Sequence, residues 1–96
     1  YDIVFSRQCE SLVCKNDMVI GISTSGNSKN IQIALETAKN KGAKTVALLG
    51  NNGGIIKNSV DFPIIVNSSN TAKIQEVHRV IYHIICEIVE QKCSDL

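Results

Sequence analysis

Residues 18–50 read MVIGISTSGNSKNIQIALETAKNKGAKTVALLG. An apolar run, a hydroxyl-rich turn, an amphipathic segment and a second apolar run follow one another. Residues 18–22 (MVIGI) are apolar without alternation, as a strand buried on both faces is. In residues 31–41, Ile31, Ala34, Leu35 and Ala38 share one helical face, and Lys41-Gly42 places a cation and a glycine at the helix end. Residues 45–49 (TVALL) repeat the first run. Unbroken apolar strands alternating with helices are the pattern of a parallel sheet covered on both faces, with right-handed crossovers.

The flanking sequence extends that pattern. Residues 3–13 carry apolar positions three and four apart, which predicts a leading helix, and Asn16-Asp17 ends it. Residues 50–54 (GNNGG) form a loop. Its glycines permit positive φ and close backbone approach, although a tight surface loop is the plainer reading. Residues 62–66 (FPIIV) predict a third strand, and Pro63 places it near an edge or at a strand start. After the polar turn at 67–70, one long helix is expected from 71 to about 91, with Ile74, Val77, Ile81, Ile84, Ile85, Ile88 and Val89 as its apolar stripe. The expected fold class is therefore α/β, a three-layer α/β/α arrangement with about three parallel strands. Such a sheet has uncovered edges, so residues 1–96 are expected to be the C-terminal portion of one larger domain.

Composition narrows the partners. The 96 residues are 44% hydrophobic and 20% charged, which suits a globular domain and excludes a low-complexity or strongly charged disordered chain. Ten Lys+Arg against nine Asp+Glu leave a net charge of +1, which offers no electrostatic argument for nucleic acid or an anionic membrane. No apolar run reaches the roughly 18 residues of a membrane span, and no secretory pattern opens the sequence. Cys9, Cys14, Cys86 and Cys93 form no C-x-x-C pair, and all four are expected as reduced thiols in a cytoplasmic protein. Core packing is the expected role of Cys86.

Two segments carry candidate chemistry. Residues 23–28 (STSGNS) lie between a strand and a helix, where open α/β sheets bind ligands. Ser23, Thr24, Ser25 and Ser28 cluster hydroxyls at a helix N-terminus, whose free N–H groups suit a phosphate, and Gly26 lets the backbone come close. The turn lacks the lysine of a nucleotide P-loop and the G-x-G-x-x-G fingerprint, so a phosphomonoester fits better than a triphosphate. The plain alternative is that Ser25 or Ser28 caps the helix. On the last helix, Gln75 and His83 are eight residues apart and share a side, with a rise of roughly 12 Å between them. A histidine among Ile81, Ile84 and Ile85 would ordinarily be a hydrogen-bonded core residue.

Residues 21–28 (GISTSGNS) closely resemble the phosphosugar-binding loop of the SIS (sugar isomerase) domain family. Residues 71–78 (TAKIQEVH), with His83 beyond them, are similar to the last helix of its phosphoheptose isomerase branch, and residues 1–8 (YDIVFSRQ) resemble that branch's mid-chain segment. The resemblance implies interconversion of sedoheptulose 7-phosphate and glycero-manno-heptose 7-phosphate through an enediol, the first step of ADP-heptose synthesis for lipopolysaccharide. It implies that Ser23, Thr24, Ser25 and Ser28 hold the substrate phosphate, that His83 is catalytic, and that Gln75 and Thr71 meet the substrate, although Thr71 could instead cap its helix. In metal-bound members, Gln75 and His83 can both ligate zinc. The family's catalytic glutamate, its other zinc-ligating histidine and an Asn-Gly-Gly-Ser loop belong to an N-terminal half that these residues do not include. The 96 residues alone are therefore expected to be catalytically silent, and a homotetramer is implied because family sites form between subunits. The runner-up is a non-enzymatic SIS protein that binds phosphosugar or acts as a replication-initiator-binding adaptor. That relative has Asn in place of His83 and Arg in place of Ser25, so both positions here favour the enzyme.

Overall fold

The computed structural model describes residues 4–94. Its elements run α1 (Val4–Leu12), β1 (Met18–Ser23), α2 (Lys29–Asn40), β2 (Lys44–Gly50), a 3₁₀ turn (Ile56–Asn58), β3 (Phe62–Val66) and α3 (Thr71–Ser94). Ile3, expected to begin the first helix, lies outside the described residues, as do the first three residues of the 1–8 segment. The three strands form one parallel sheet in the order β1-β2-β3, with Gly21 opposite Ala47 and Leu48 opposite Ile64.

β2 is the central strand, and every one of its residues from 45 to 50 is buried. Side chains alternate across the sheet, so its two faces receive different partners. Ala47 and Leu49 join Leu35 of α2, Ile56 and Val60 in the core, with Ile31 and Val19 packed against them. On the other face, Ile74 of α3 closes over Gly50, where any Cβ would lie 2.6 Å from its Cδ1. Gly21 is required on the α2 face for the same reason, since a Cβ there would meet Leu35 at 2.8 Å. Helices thus cover both faces, as the three-layer expectation has it.

The helix ends explain the lengths. α2 begins two residues before the expected 31, because Ser28 is extended (φ −69°, ψ 112°) and Lys29 can already start the spiral. It stops at a Schellman motif: Gly42 has φ 90°, its N–H bonds the Lys39 carbonyl, and the Ala43 N–H bonds the Ala38 carbonyl. α1 packs beside α2 through a Ser6–Thr37 hydroxyl bond of 2.7 Å and a Lys41 ammonium bond to the Glu10 carbonyl.

α3 corrects one expectation. Of its seven-residue apolar stripe only Ile74 is buried, while Val77, Ile84, Ile88 and Val89 are between 41% and 54% exposed. Only the first turns of α3 pack tightly on β2; further along, Ile81 and Ile85 are half-buried, and Ile85, Ile88 and Val89 line an open apolar groove with Met18, Val46, Phe62 and Ile64. Cys86 is exposed too, so it is not core packing, and all four cysteines are free. Among the described residues no helix is long and apolar enough to cross a membrane.

One polar lock ties β2 to the start of β3. The Asp61 carboxylate accepts from the Thr45 N–H at 2.9 Å and the Thr45 hydroxyl at 3.1 Å, while that hydroxyl accepts from the Asp61 N–H at 3.0 Å. Lys39 of α2 lies 3.7 Å away. The Thr45 N–H, then its hydroxyl, Lys39 and Lys44 hold the Asp61 carboxyl below its ordinary value of 3.8, against an opposing desolvation effect. A lowered folded-state pKa gives stability that is present above the unfolded value and lost as pH falls through the folded one. Thermal melts should therefore hold the Asp61 contribution down to about pH 4 and lose it below, and Asp61→Asn should remove that part of the acid sensitivity. Equal acid slopes for the two proteins would show that the lock contributes nothing.

Candidate functional site

The carboxyl ends of all three strands point to one end of the molecule, and the loops leaving them meet there. The loop after β1 is the serine-rich stretch 23–28. Ser23 is buried, and its Oγ accepts from the Gly26 N–H at 3.1 Å. The Ser25 Oγ accepts from the Asn27 N–H at 3.1 Å, and Ser25 is exposed. Ser28 occupies the N-cap position of α2, yet its side chain makes no capping bond. Its hydroxyl instead donates to the Asn30 Oδ1, which also accepts from the Ile31 N–H at 2.9 Å. Simple capping therefore does not account for Ser25 or Ser28.

The loop after β2 is more than a tight surface turn, which corrects the plainer reading of residues 50–54. Its backbone lies directly on the serine loop. Gly26 has φ 76° and Gly54 has φ 55°; a Cβ on Gly26 would sit 2.2 Å from the Gly53 oxygen, and one on Gly54 2.5 Å from the Gly26 carbonyl. The Gly26 carbonyl accepts from the Ile56 N–H at 3.0 Å, and the Asn27 Oδ1 accepts from the Ile55 N–H at 2.9 Å. The Asn51 side-chain amide donates to the Thr24 carbonyl at 3.1 Å. Ser25, Asn27, Asn51, Asn52, Asn67, Ser68 and Ser69 line an open polar hollow between the three loops.

A second hollow opens on the α3 face of β1, lined by Ile22, Thr24, Gln75, His78, Arg79 and Tyr82. The structure thus brings Thr24 and Gln75 together. Arg79 and Tyr82, four and seven residues past Gln75, were missed in the sequence although helical spacing puts them on its face. Arg79 brings a cation to the hollow and pairs only loosely with Glu76, at 3.9 Å between exposed side chains.

The two histidines part company. His83 is exposed, lies outside that hollow and stacks against Tyr82 with ring centroids 4.9 Å apart, so it is not the core histidine its isoleucine neighbours suggest. The core histidine is His78, 2% exposed, with Nε2 at 2.7 Å from the Leu49 carbonyl. A carbonyl oxygen only accepts, so Nε2 carries a proton, while Nδ1 is buried without a partner among the described residues. Ile74 and His78, one turn apart, are the two buried anchors of α3, and they fix where Gln75 faces. Thr71 is the exposed first residue of α3 and does not cap it; the Asn70 Oδ1 accepts from the Lys73 N–H at 3.1 Å and does so instead.

No group of three or more His, Cys, Asp or Glu able to hold a metal occurs among the described residues. Gln75 and His83 supply at most two of the four donors usual for zinc, so this chain does not by itself fit a zinc centre.

The comparisons with known proteins fit this geometry. The SIS domain model matches residues 5–85, and the chain belongs to the SIS domain family. Among sequences, it is 54% identical to a phosphoheptose isomerase of Geobacter sp. (strain M21), over 96% of this chain and 48% of that protein. It is 51% identical to one of Synechocystis sp., over 96% and 47%. Among solved structures, a phosphoheptose isomerase from Francisella tularensis superposes with a TM-score of 0.88 at 38% identity, covering 94% of this chain and 50% of the other. One from Neisseria gonorrhoeae gives 0.87 at 37%, covering 92% and 50%. The chain spans about half the length of the relatives it matches.

The stacked glycines give a direct test. Gly26→Ala adds a Cβ against the Gly53 backbone and strains a left-handed position. Urea denaturation should show a loss of about 2 kcal/mol or more. A loss under about 0.5 kcal/mol would mean that the two loops do not sit backbone on backbone.

Proposed function

We propose that the protein containing this chain isomerises sedoheptulose 7-phosphate to glycero-manno-heptose 7-phosphate, an aldose–ketose isomerisation that supplies ADP-heptose for lipopolysaccharide. One observation carries the reading: in a chain 54% identical to a named phosphoheptose isomerase, the hydroxyl loop 23–28 sits at the carboxyl end of β1 and shares a hollow with Gln75 of α3. In this reading Ser23, Thr24, Ser25 and Ser28 hold the phosphate at the α2 N-terminus, whose dipole favours an anion. Gln75 and Thr71 meet the sugar. His83 exchanges the proton that moves between C1 and C2 or their oxygens, as general acid and base.

The reading extends to assembly. Residues 1–96 form the C-terminal portion of a single SIS domain, and a further part of the domain completes the site. Zinc is proposed as a cofactor that Gln75 and His83 would share with ligands from outside this chain; when bound, it would polarise the sugar oxygens. A homotetramer in the cytoplasm is proposed as the working form. The exposed apolar stripe of α3 supports burial against other chain, since contiguous apolar patches are rarely left bare.

The test is an isomerase assay on sedoheptulose 7-phosphate, with and without zinc. It compares this chain alone with the chain joined to the part of the Geobacter sp. (strain M21) relative that it does not match. The chain alone should be silent and the joined protein active. His83→Ala in the joined protein should lower kcat by about 10²–10⁴ while leaving sugar phosphate binding largely intact. A joined protein that binds the sugar phosphate without turnover in either condition would replace the enzyme with a non-enzymatic phosphosugar-binding or adaptor protein.

A further inference from the structure

The loop after β2 takes two carbonyls out of the serine loop. The Asn51 amide holds the Thr24 carbonyl at 3.1 Å, and the Ile56 N–H holds the Gly26 carbonyl at 3.0 Å. A trans peptide is planar, so its C=O and the following N–H point in opposite directions. Fixing the Thr24 carbonyl toward Asn51 therefore turns the Ser25 N–H away from that loop. Fixing the Gly26 carbonyl toward Ile56 does the same for the Asn27 N–H, which is then taken by the Ser25 Oγ at 3.1 Å. The Ser25 N–H has no acceptor among the described residues.

The orientation matters because an anion is attracted by N–H groups and repelled by carbonyls. A flip of the 24–25 peptide would replace a donor with an oxygen. Asn51 is suited to preventing it. Its backbone is left-handed at φ 54°, a conformation asparagine tolerates better than most residues, and its own N–H bonds the Ser68 carbonyl at 2.9 Å. The side chain is thereby aimed from a fixed base.

We propose that Asn51 is a positioning residue for anion binding: through the Thr24 carbonyl it holds the 24–25 peptide with the Ser25 N–H presented to a phosphate monoester. Asn51 does not touch the phosphate itself. The proposal rests on the reading of residues 23–28 as the phosphate loop.

The experiment uses the joined protein described above, with serine amides labelled with ¹⁵N. Sedoheptulose 7-phosphate binding is measured by calorimetry, and the Ser25 amide shift is followed during the titration. Asn51→Gly keeps the left-handed backbone and adds no charge; Asn51→Asp is isosteric and covers the case that glycine loosens the loop. Asn51→Gly should weaken binding about fivefold to tenfold, the effect of one neutral hydrogen bond, Asn51→Asp should weaken it further because its carboxylate also repels the anion, and both should diminish the Ser25 amide response. In steady state KM should rise by a similar factor while kcat changes less than about twofold, because uniform binding is lost and not transition-state chemistry. Variants that bind as tightly as the parent with an intact Ser25 response overturn the proposal and leave the phosphate loop standing. A parent protein that binds no sugar phosphate overturns both.

Discussion

The burial of β2 is the constraint on which the rest depends. Residues 45–50 are shut off from water on both faces, so each has to be matched by something apolar or hydrogen-bonded. Leu35 and Ile56 match one face and Ile74 the other, while Thr45, the one polar side chain in the run, is satisfied by Asp61. The same strand sets the site. Its last residues, Leu49 and Gly50, receive His78 and Ile74, and this fixes the N-terminal turns of α3 against the carboxyl end of the sheet. Beyond Gly50 the chain turns through four residues that lie on the serine loop. A single central strand thus positions both the helix that brings Gln75 and the loop that orients the serine backbone.

The site is built largely from backbone. Three loops meet, and the first two lie glycine on glycine, where an added Cβ would come within 2.2–2.5 Å of the facing backbone. The polar hollow between them is lined by serine and asparagine side chains without a formal charge. Where the N–H groups of the serine loop point is governed by partners on a neighbouring loop.

Much of the fold was legible because the strands are continuous apolar runs and the helices carry amphipathic spacing. The third strand appears at 62–66 as expected, and Gly42 ends α2 as its position suggests. The 3₁₀ turn at Ile56–Asn58 was not legible, since three residues carry no period. The α3 stripe misled for a different reason. Seven apolar positions suggest one buried face, but only the turn bearing Ile74 and His78 is fully buried, and the later positions border an open apolar groove beside the sheet. A histidine four residues past a buried isoleucine was the available signal, and it pointed to His78 rather than to His83. The serine loop was found from its hydroxyls, but its brace was not. Residues 50–54 contain no hydroxyl or charge, and their contribution depends on contacts across 27 residues of chain, which local pattern does not carry.

The two margins of the sheet differ chemically. β3 is five residues long and includes Pro63, which has no N–H to offer another strand. β1 is an apolar strand with no such blunting, paired only with β2 among the described residues. The free edge of β1 therefore keeps a full set of backbone donors where β3 lacks one, which makes it the better template for a further strand, and it is the edge that leads into the serine loop.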